Sequence, residues 1–216
     1  EEANLTLQTP ESFFARFRVK MKVRHEVIGI HPDRKTVTVK NLDTGEEFEE
    51  SYDKLLLAPG AKPTQPKLPG IGMDKLFTLR TVEDTFGIKQ YMIKNQPQSV
   101  ILAGGGFIGL ELAENLRKLG MKVTIVQRPK QLMNPFDADM AAFIHSEMRK
   151  HGVVLALGHT VEGFVEKDGG VYVLLKDEEP LHADMVVLAI GASAGLSLWC
   201  QVFLDSSGGK DFRTKN

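Results

Sequence analysis

The sequence is poor in several things at once, and each shortage removes a class of function. It has one cysteine, Cys200, in 216 residues, which excludes an internal disulfide framework and a multi-thiol metal site. That usage fits a reducing, cytoplasmic setting. Charge of one sign is also lacking: 27 Lys and Arg stand against 28 Asp and Glu, a net of −1, so nothing calls for nucleic acid or a polybasic membrane anchor. No apolar run approaches the ~18 residues that span a bilayer. The opening Glu1-Glu2 does not read as a secretion signal, and the lack of an initial Met fits an excised piece. What remains is an ordinary globular composition, 42% hydrophobic, long enough for two modest domains.

The first part of the chain reads as short antiparallel strands. Arg18 to Arg24 alternates Val19, Met21 and Val23 with four cations, which predicts a half-buried strand whose charges are solvated. Strands are expected at Glu26–Ile30 and Thr36–Asn41, with turns at Pro32-Asp33 and Asp43-Thr44-Gly45. Leu55-Leu56-Leu57-Ala58 is wholly apolar and predicts a strand buried on both faces. The Pro- and Gly-rich stretch Lys62–Gly72 reads as a connector between domains.

From Ser99 onward, strand and helix patterns alternate. Val100–Ala103 is a buried strand. Phe107–Leu119 is a helix stopped by Gly120, with Ile108, Leu112, Leu116 and Leu119 on one face. Val123–Val126 is the next strand. A helix capped by Asp137 should turn Met140, Phe143, Ile144 and Met148 inward and end before Gly152. A strand at Val153–Leu157, a hairpin turning at Asp168-Gly169-Gly170 and a buried strand at Met185–Ile190 complete the pattern.

Two of these strands repeat each other. Leu55–Ala61 (LLLAPGA) and Val186–Ala192 (VVLAIGA) match at a constant spacing of 131 residues (position 186 against position 55), each after a β-meander. An internal duplication is the natural reading. The second copy opens on a glycine loop at Gly104; its counterpart in the first copy is expected to lie ahead of Glu1.

That loop, Gly104-Gly105-Gly106-Phe107-Ile108-Gly109, has the spacing G-x-G-x-x-G between a strand and a helix. In that context the string predicts a dinucleotide site. Gly104 permits the tight turn, Gly106 the approach of a pyrophosphate, and Gly109 the close packing of helix on sheet. The helix start supplies N–H groups and partial positive charge. About 20 residues beyond such a loop an acid usually holds the ribose hydroxyls. Here the position holds Gln127-Arg128, which does not repel a 2′-phosphate; Arg128 either pairs with one or is a solvated loop charge, as Lys130 is.

The motifs GGGFIGLEL at Gly104–Leu112, LLLAPGA and VLAIGA together resemble the pyridine nucleotide–disulfide oxidoreductase family. LTLQTPESFF at Leu5–Phe14, His25–Ile28 and FEESYDKLLL at Phe48–Leu57 resemble its branch of coenzyme A-disulfide reductases and NADH oxidases. The resemblance covers roughly residues 1–192. It implies an α/β fold: a three-layer (ββα), Rossmann-like FAD/NAD(P)-binding domain with an antiparallel meander, plus a partial second copy. Residues 1–80 would be the partial FAD module, 81–195 the NAD(P)H domain, and 196–216 an unassigned tail. NAD(P)H would lie over Gly104–Gly109, with Phe107 gating the flavin, Glu111 near the nicotinamide carboxamide and Ile190-Gly191 lining the cleft. Val27 and Ala58-Pro59-Gly60 would contact FAD. The parent enzyme would be a homodimer reducing a small-molecule disulfide or oxygen.

The sequence departs from the family at four points. The FAD glycine loop, the redox cysteine and the closing Asp on the ribityl chain have no counterparts, so no catalytic residue is assigned. Ala192-Ser193-Ala194 replaces the usual Arg-Pro-Asn after Gly191. Cys200 lies far from the redox position and reads as an incidental thiol.

Overall fold

The computed structural model describes residues 7–194, which form two compact units, one ending at Gly60 and the other running Ala61–Ala194. Cys200 and the tail from Leu196 lie outside the described residues.

In the first unit, α1 (Pro10–Phe17) begins on a closed capping box: the Ser12 N–H donates to Thr9 Oγ1 at 3.3 Å, and the Thr9 N–H to Ser12 Oγ at 2.9 Å. The meander follows as β1 (His25–His31), β2 (Thr36–Asn41) and β3 (Glu47–Ser51), paired antiparallel in that order. Val37 and Val39 on β2 are buried. The strand expected over Arg18–Arg24 does not form. Arg18 and Arg24 both take left-handed conformations (φ 59° and 58°), and Val19, Met21 and Val23 stay about half exposed. Alternation there is a solvated surface, with Lys22 paired to Glu50 and Arg24 to Asp43. Leu55–Ala58 is likewise no strand; it is extended coil, and Leu56 is 90% exposed. A two-faced strand needs ladder partners on both sides, and none of the described residues pairs with this run.

The second unit carries the rest: β4 (Ala61–Pro63), β5 (Leu76–Thr78), α2 (Val82–Asn95), β6 (Ser99–Ala103), α3 (Phe107–Lys118), β7 (Lys122–Gln127), α4 (Ala138–Lys150), β8 (Val154–Leu157), β9 (Val161–Lys167), β10 (Gly170–Leu175), β11 (Leu181–Ala183), β12 (Met185–Leu188) and β13 (Ala192–Ala194). Five strands form a parallel sheet in the order β5-β12-β6-β7-β8, and β11-β10-β9 form an antiparallel one. Successive side chains of a strand point to opposite faces. Thus Val100, Leu102, Val123, Ile125, Met185 and Val187 pack with Ala113 and Leu116 of α3 and Ile88 of α2. Ile101, Ala103, Val126, Val186 and Leu188 pack with Phe164, Val171 and Val173 of the meander. This is the three-layer ββα arrangement the sequence implied.

Several local details differ from expectation. The stretch read as a connector, Lys62–Gly72, begins in β4, which pairs antiparallel with β13, so Ala192–Ala194 has a structural partner. The helix α2 was not expected from the pattern, although Thr81 and Asp84 close a capping box at its start. The inward face of α3 is Gly109, Ala113 and Leu116, while Ile108 and Leu119 are exposed. On α4, Ala141 is buried and Ile144 and Met148 half-buried, but Met140 and Phe143 face water. The two helices end alike. Gly120 (φ 87°) follows α3 and Gly152 (φ 75°) follows α4, each flanked by the paired hydrogen bonds that turn the chain off a helix. The hairpin turns at Asp168-Gly169, both at positive φ, as a two-residue loop requires. Among the described residues, no helix is long and apolar enough to cross a membrane, and no three His, Cys, Asp or Glu side chains gather as a metal site would need.

Candidate functional site

Three parallel strands deliver the glycine loop to the carboxyl edge of the second unit's sheet. The Gly104 N–H donates to Val126 O at 2.8 Å and the Ala189 N–H to Ala103 O at 2.7 Å, so the loop leaves β6 with β7 and β12 tied on either side. Gly104 has φ 117°, and a Cβ there would sit 2.3 Å from Ala189 O. A Cβ on Gly109 would meet Gly104 O at 2.1 Å, so these two glycines interlock α3 with the loop. Gly106 is different. A Cβ there would meet nothing within 4 Å, which leaves open space in front of the helix start.

Gly106 is also the N-cap of α3, with no side chain capping it and no acid in the first turn. The first N–H groups of a helix have no intrahelical acceptor, and with the aligned peptide dipoles they favour an anion. α1 and α2 satisfy theirs with capping boxes, whereas Asp137, expected to cap α4, makes no side-chain cap bond; α4 carries Asp139 in its first turn, and α3 has no such acid. Open space, uncapped donors and no competing carboxylate together suit a diphosphate.

Gln127, at the end of β7, does more than its sequence position suggested. Its Oε1 accepts the Gly105 N–H at 2.8 Å, so the carboxamide holds the loop directly. The Gly105 O in turn accepts the Met133 N–H at 2.8 Å, and Leu132 Cδ2 fills the place where a Gly105 Cβ would lie. Leu132 and Met133 are buried. Arg128 is exposed beside this array. Phe107 stands 71% exposed at the helix start, its ring edge-on to Phe136 with centroids 6.4 Å apart. Glu111 is exposed one turn further along α3; Ile190 and Gly191 (φ 107°) follow β12, and Gly191 O accepts the Thr64 N–H at 2.9 Å.

The residues expected to meet FAD belong to the first unit. Val27 is 41% exposed on β1, opposite Val39 and beside a bulge. Ala58-Pro59-Gly60 is exposed coil, not a strand end.

Sequence reasoning missed the wall behind the loop: Leu132, Met133 and His145. His145 Nε2 accepts the Leu132 N–H at 2.9 Å. Burial pushes the imidazole below its ordinary pKa, and Arg149 one turn away adds to that. The signal was available, because Ala141, Ile144, His145 and Met148 share one face of α4 at helical spacing.

Residues 6–209 match the family described as pyridine nucleotide-disulphide oxidoreductase. The chain belongs to that family. A coenzyme A disulfide reductase of Staphylococcus aureus is 38% identical over 183 residues, 85% of this chain and 40% of the relative. The reduced CoADR-RHD of Bacillus anthracis superposes with TM-score 0.87 at 40% identity, covering 99% of this chain and 37% of that one. An engineered water-forming NADPH oxidase bound to NADPH, derived from the Lactobacillus brevis NADH oxidase, gives TM-score 0.83 at 31% identity over 94% of this chain and 44% of that one. The chain spans 40% of the length of the curated relatives it matches.

Proposed function

We propose that the second unit binds NAD(P)H over Gly104–Gly109, as the nucleotide-holding portion of an FAD-dependent disulfide reductase of the coenzyme A-disulfide reductase kind. The open, uncapped helix start at Gly106 carries this reading. NAD(P)H held there would supply a hydride for a flavin, and the protein would contribute position and electrostatics. Phe107 would gate the flavin, Glu111 would lie near the nicotinamide carboxamide, and Ile190-Gly191 would line the cleft. Val27 and Ala58–Gly60 would serve FAD. The setting would be cytoplasmic and the whole enzyme a homodimer acting on a small disulfide. Reduction of oxygen is the second reading, favoured by the similarity to a water-forming oxidase.

The same reading extends to nucleotide choice. Gln127 brings no charge to repel a 2′-phosphate, and Arg128 offers a charge-assisted hydrogen bond to one. NADPH should therefore bind at least as tightly as NADH. Gln127→Glu keeps the acceptor for the Gly105 N–H and gives up only the long 3.5 Å bond from Nε2 to Gln131 O, so its added charge should shift preference toward NADH. Arg128→Ala should weaken NADPH selectively, by roughly fivefold given its exposure. Calorimetric titration of the three proteins with both nucleotides tests this. No binding of either nucleotide to the wild type would defeat the site; a tenfold preference for NADH would defeat the assignment of Gln127 and Arg128.

A further inference from the structure

We propose that His145 is a positioning residue for the nucleotide loop: by accepting the Leu132 N–H it fixes the Leu132-Met133 wall that holds Gly105 in place. The proposal rests on the NAD(P)H reading of Gly104–Gly109 and assigns to that site a residue two elements away from it.

The connection is short and every link is polar or sterically closed. His145 Nε2 takes the Leu132 N–H at 2.9 Å. The next residue, Met133, donates its N–H to Gly105 O at 2.8 Å, while Gly105 donates its own N–H to Gln127 Oε1 at 2.8 Å. Both polar groups of the Gly105 peptide are thus occupied by protein, and Leu132 closes the space beneath its Cα. Gly105 is therefore held from both sides, with the open face of the loop at the neighbouring Gly106.

Met133 makes the wall dependent on outside support. Its φ of 48° is left-handed, a conformation that a side-chain-bearing residue holds only when its surroundings impose it. The contacts around it are the Gly105 carbonyl, which takes its N–H, the Phe136 N–H, which donates to its carbonyl at 2.8 Å, and, through the preceding peptide, His145. Because a backbone N–H can only donate, Nε2 must be the unprotonated nitrogen and Nδ1 must carry the hydrogen. A fixed neutral tautomer on the buried stripe of α4 therefore sets the back of the nucleotide loop.

Two variants and one spectrum test this. His145→Phe keeps a ring of similar volume and removes the acceptor; His145→Gln keeps an acceptor at comparable reach. In ligand-free protein, amide exchange at Leu132, Met133 and Gly105 should accelerate in the Phe variant and stay near wild type in the Gln variant. NADPH and NADH affinity, by calorimetry, should fall about tenfold for Phe and less than about twofold for Gln, since an unpaired buried donor is left only in the first. In the wild type, imidazole nitrogen NMR should show the Nδ1–H tautomer, a measurement that survives even if the Phe variant fails to fold. An Nε2–H tautomer, unchanged exchange in the Phe variant, or a Gln variant as damaged as Phe would overturn the proposal. If the wild type binds neither nucleotide while tautomer and exchange behave as stated, the NAD(P)H reading fails and the positioning of the loop by His145 stands.

Discussion

Leu55–Ala61 and Val186–Ala192 carry the same pattern, LLLAPGA against VVLAIGA, and each follows a three-stranded meander. In the second, Met185–Leu188 is strand β12, hydrogen-bonded to β5 on one side and β6 on the other, with every residue buried. In the first, Leu55 and Leu56 are exposed and residues 55–60 join no ladder; only Ala61, at the end of the run, pairs, with Ala194 of β13. The difference lies in the neighbours, because the side chains are alike. A run apolar on both faces specifies a demand for two flanking strands and two covering layers; it does not itself supply them.

The comparison can be broken most forcefully by placing a charge in each copy. Val187→Asp puts an unpaired carboxyl at a fully buried position between two core layers. It should cost about 4 kcal/mol or more and unfold the second unit at moderate urea. Leu56→Asp, at a site 90% exposed, should stay within about 0.5 kcal/mol. Urea titrations followed by circular dichroism decide it. A comparable loss from Leu56→Asp would show that the first run is buried in solution.

The next largest effect separates glycines that build the loop from the one that serves a ligand. Gly109→Ala drives a Cβ to 2.1 Å from the backbone oxygen of Gly104, which no side-chain rotation relieves. A loss of about 3 kcal/mol is expected, as for strong overpacking. Gly106→Ala meets nothing within 4 Å and should leave the melting temperature nearly unchanged. Its new methyl instead occupies the space proposed for the pyrophosphate, so nucleotide affinity should drop at least tenfold, or about 1.4 kcal/mol. Equal effects of the two changes on stability would remove the distinction.

These contrasts also show what could be read before any fold was known. The β6-loop-α3-β7 segment was legible because its strands are covered on both faces and its helix is closed by Gly120, so local pattern and final environment agree. Where the tertiary environment decides, the pattern misled. Val19, Met21 and Val23 alternate like a strand but lie between two left-handed arginines. Met140 and Phe143 looked like core, while the smaller Ala141 faces the sheet. At the site, the glycines and Gln127 were legible from spacing. The dual engagement of Gly105 and the support from His145 were not, because they depend on how Leu132-Met133 folds back, and no periodicity encodes that return.

The smallest predicted effect concerns the two aspartates that precede the twin runs. Asp184 stands two residues before Val186, and Asp53 two before Leu55. Asp184 accepts from the Gln98 N–H at 2.7 Å, the Ser99 N–H at 2.8 Å and Ser99 Oγ at 2.9 Å, which pins the start of β6 beside β12. Partial burial pushes its carboxyl upward, but the donors from Gln98 and Ser99 outweigh that and hold it below the ordinary Asp range. Asp53 is exposed and has no such donors among the described residues. A carboxylate whose folded pKa is depressed contributes stability that is fully present above its unfolded pKa and is lost as pH falls through the folded one. Asp184→Asn should therefore cost about 1 kcal/mol at neutral pH, because its amide oxygen can stand where all three donors converge on Oδ2 but accepts them without the charge. The gap to wild type should close as the pH is lowered below the ordinary Asp range, because the wild-type carboxyl then protonates too. Asp53→Asn, at an exposed side chain, should stay within about 0.5 kcal/mol of wild type at neutral pH. Thermal melts of the three proteins from pH 7 down to pH 3 measure both terms. A constant gap between Asp184→Asn and wild type across that range would mean the side chain acts by shape alone, and the charge would then have no part in anchoring the buried copy.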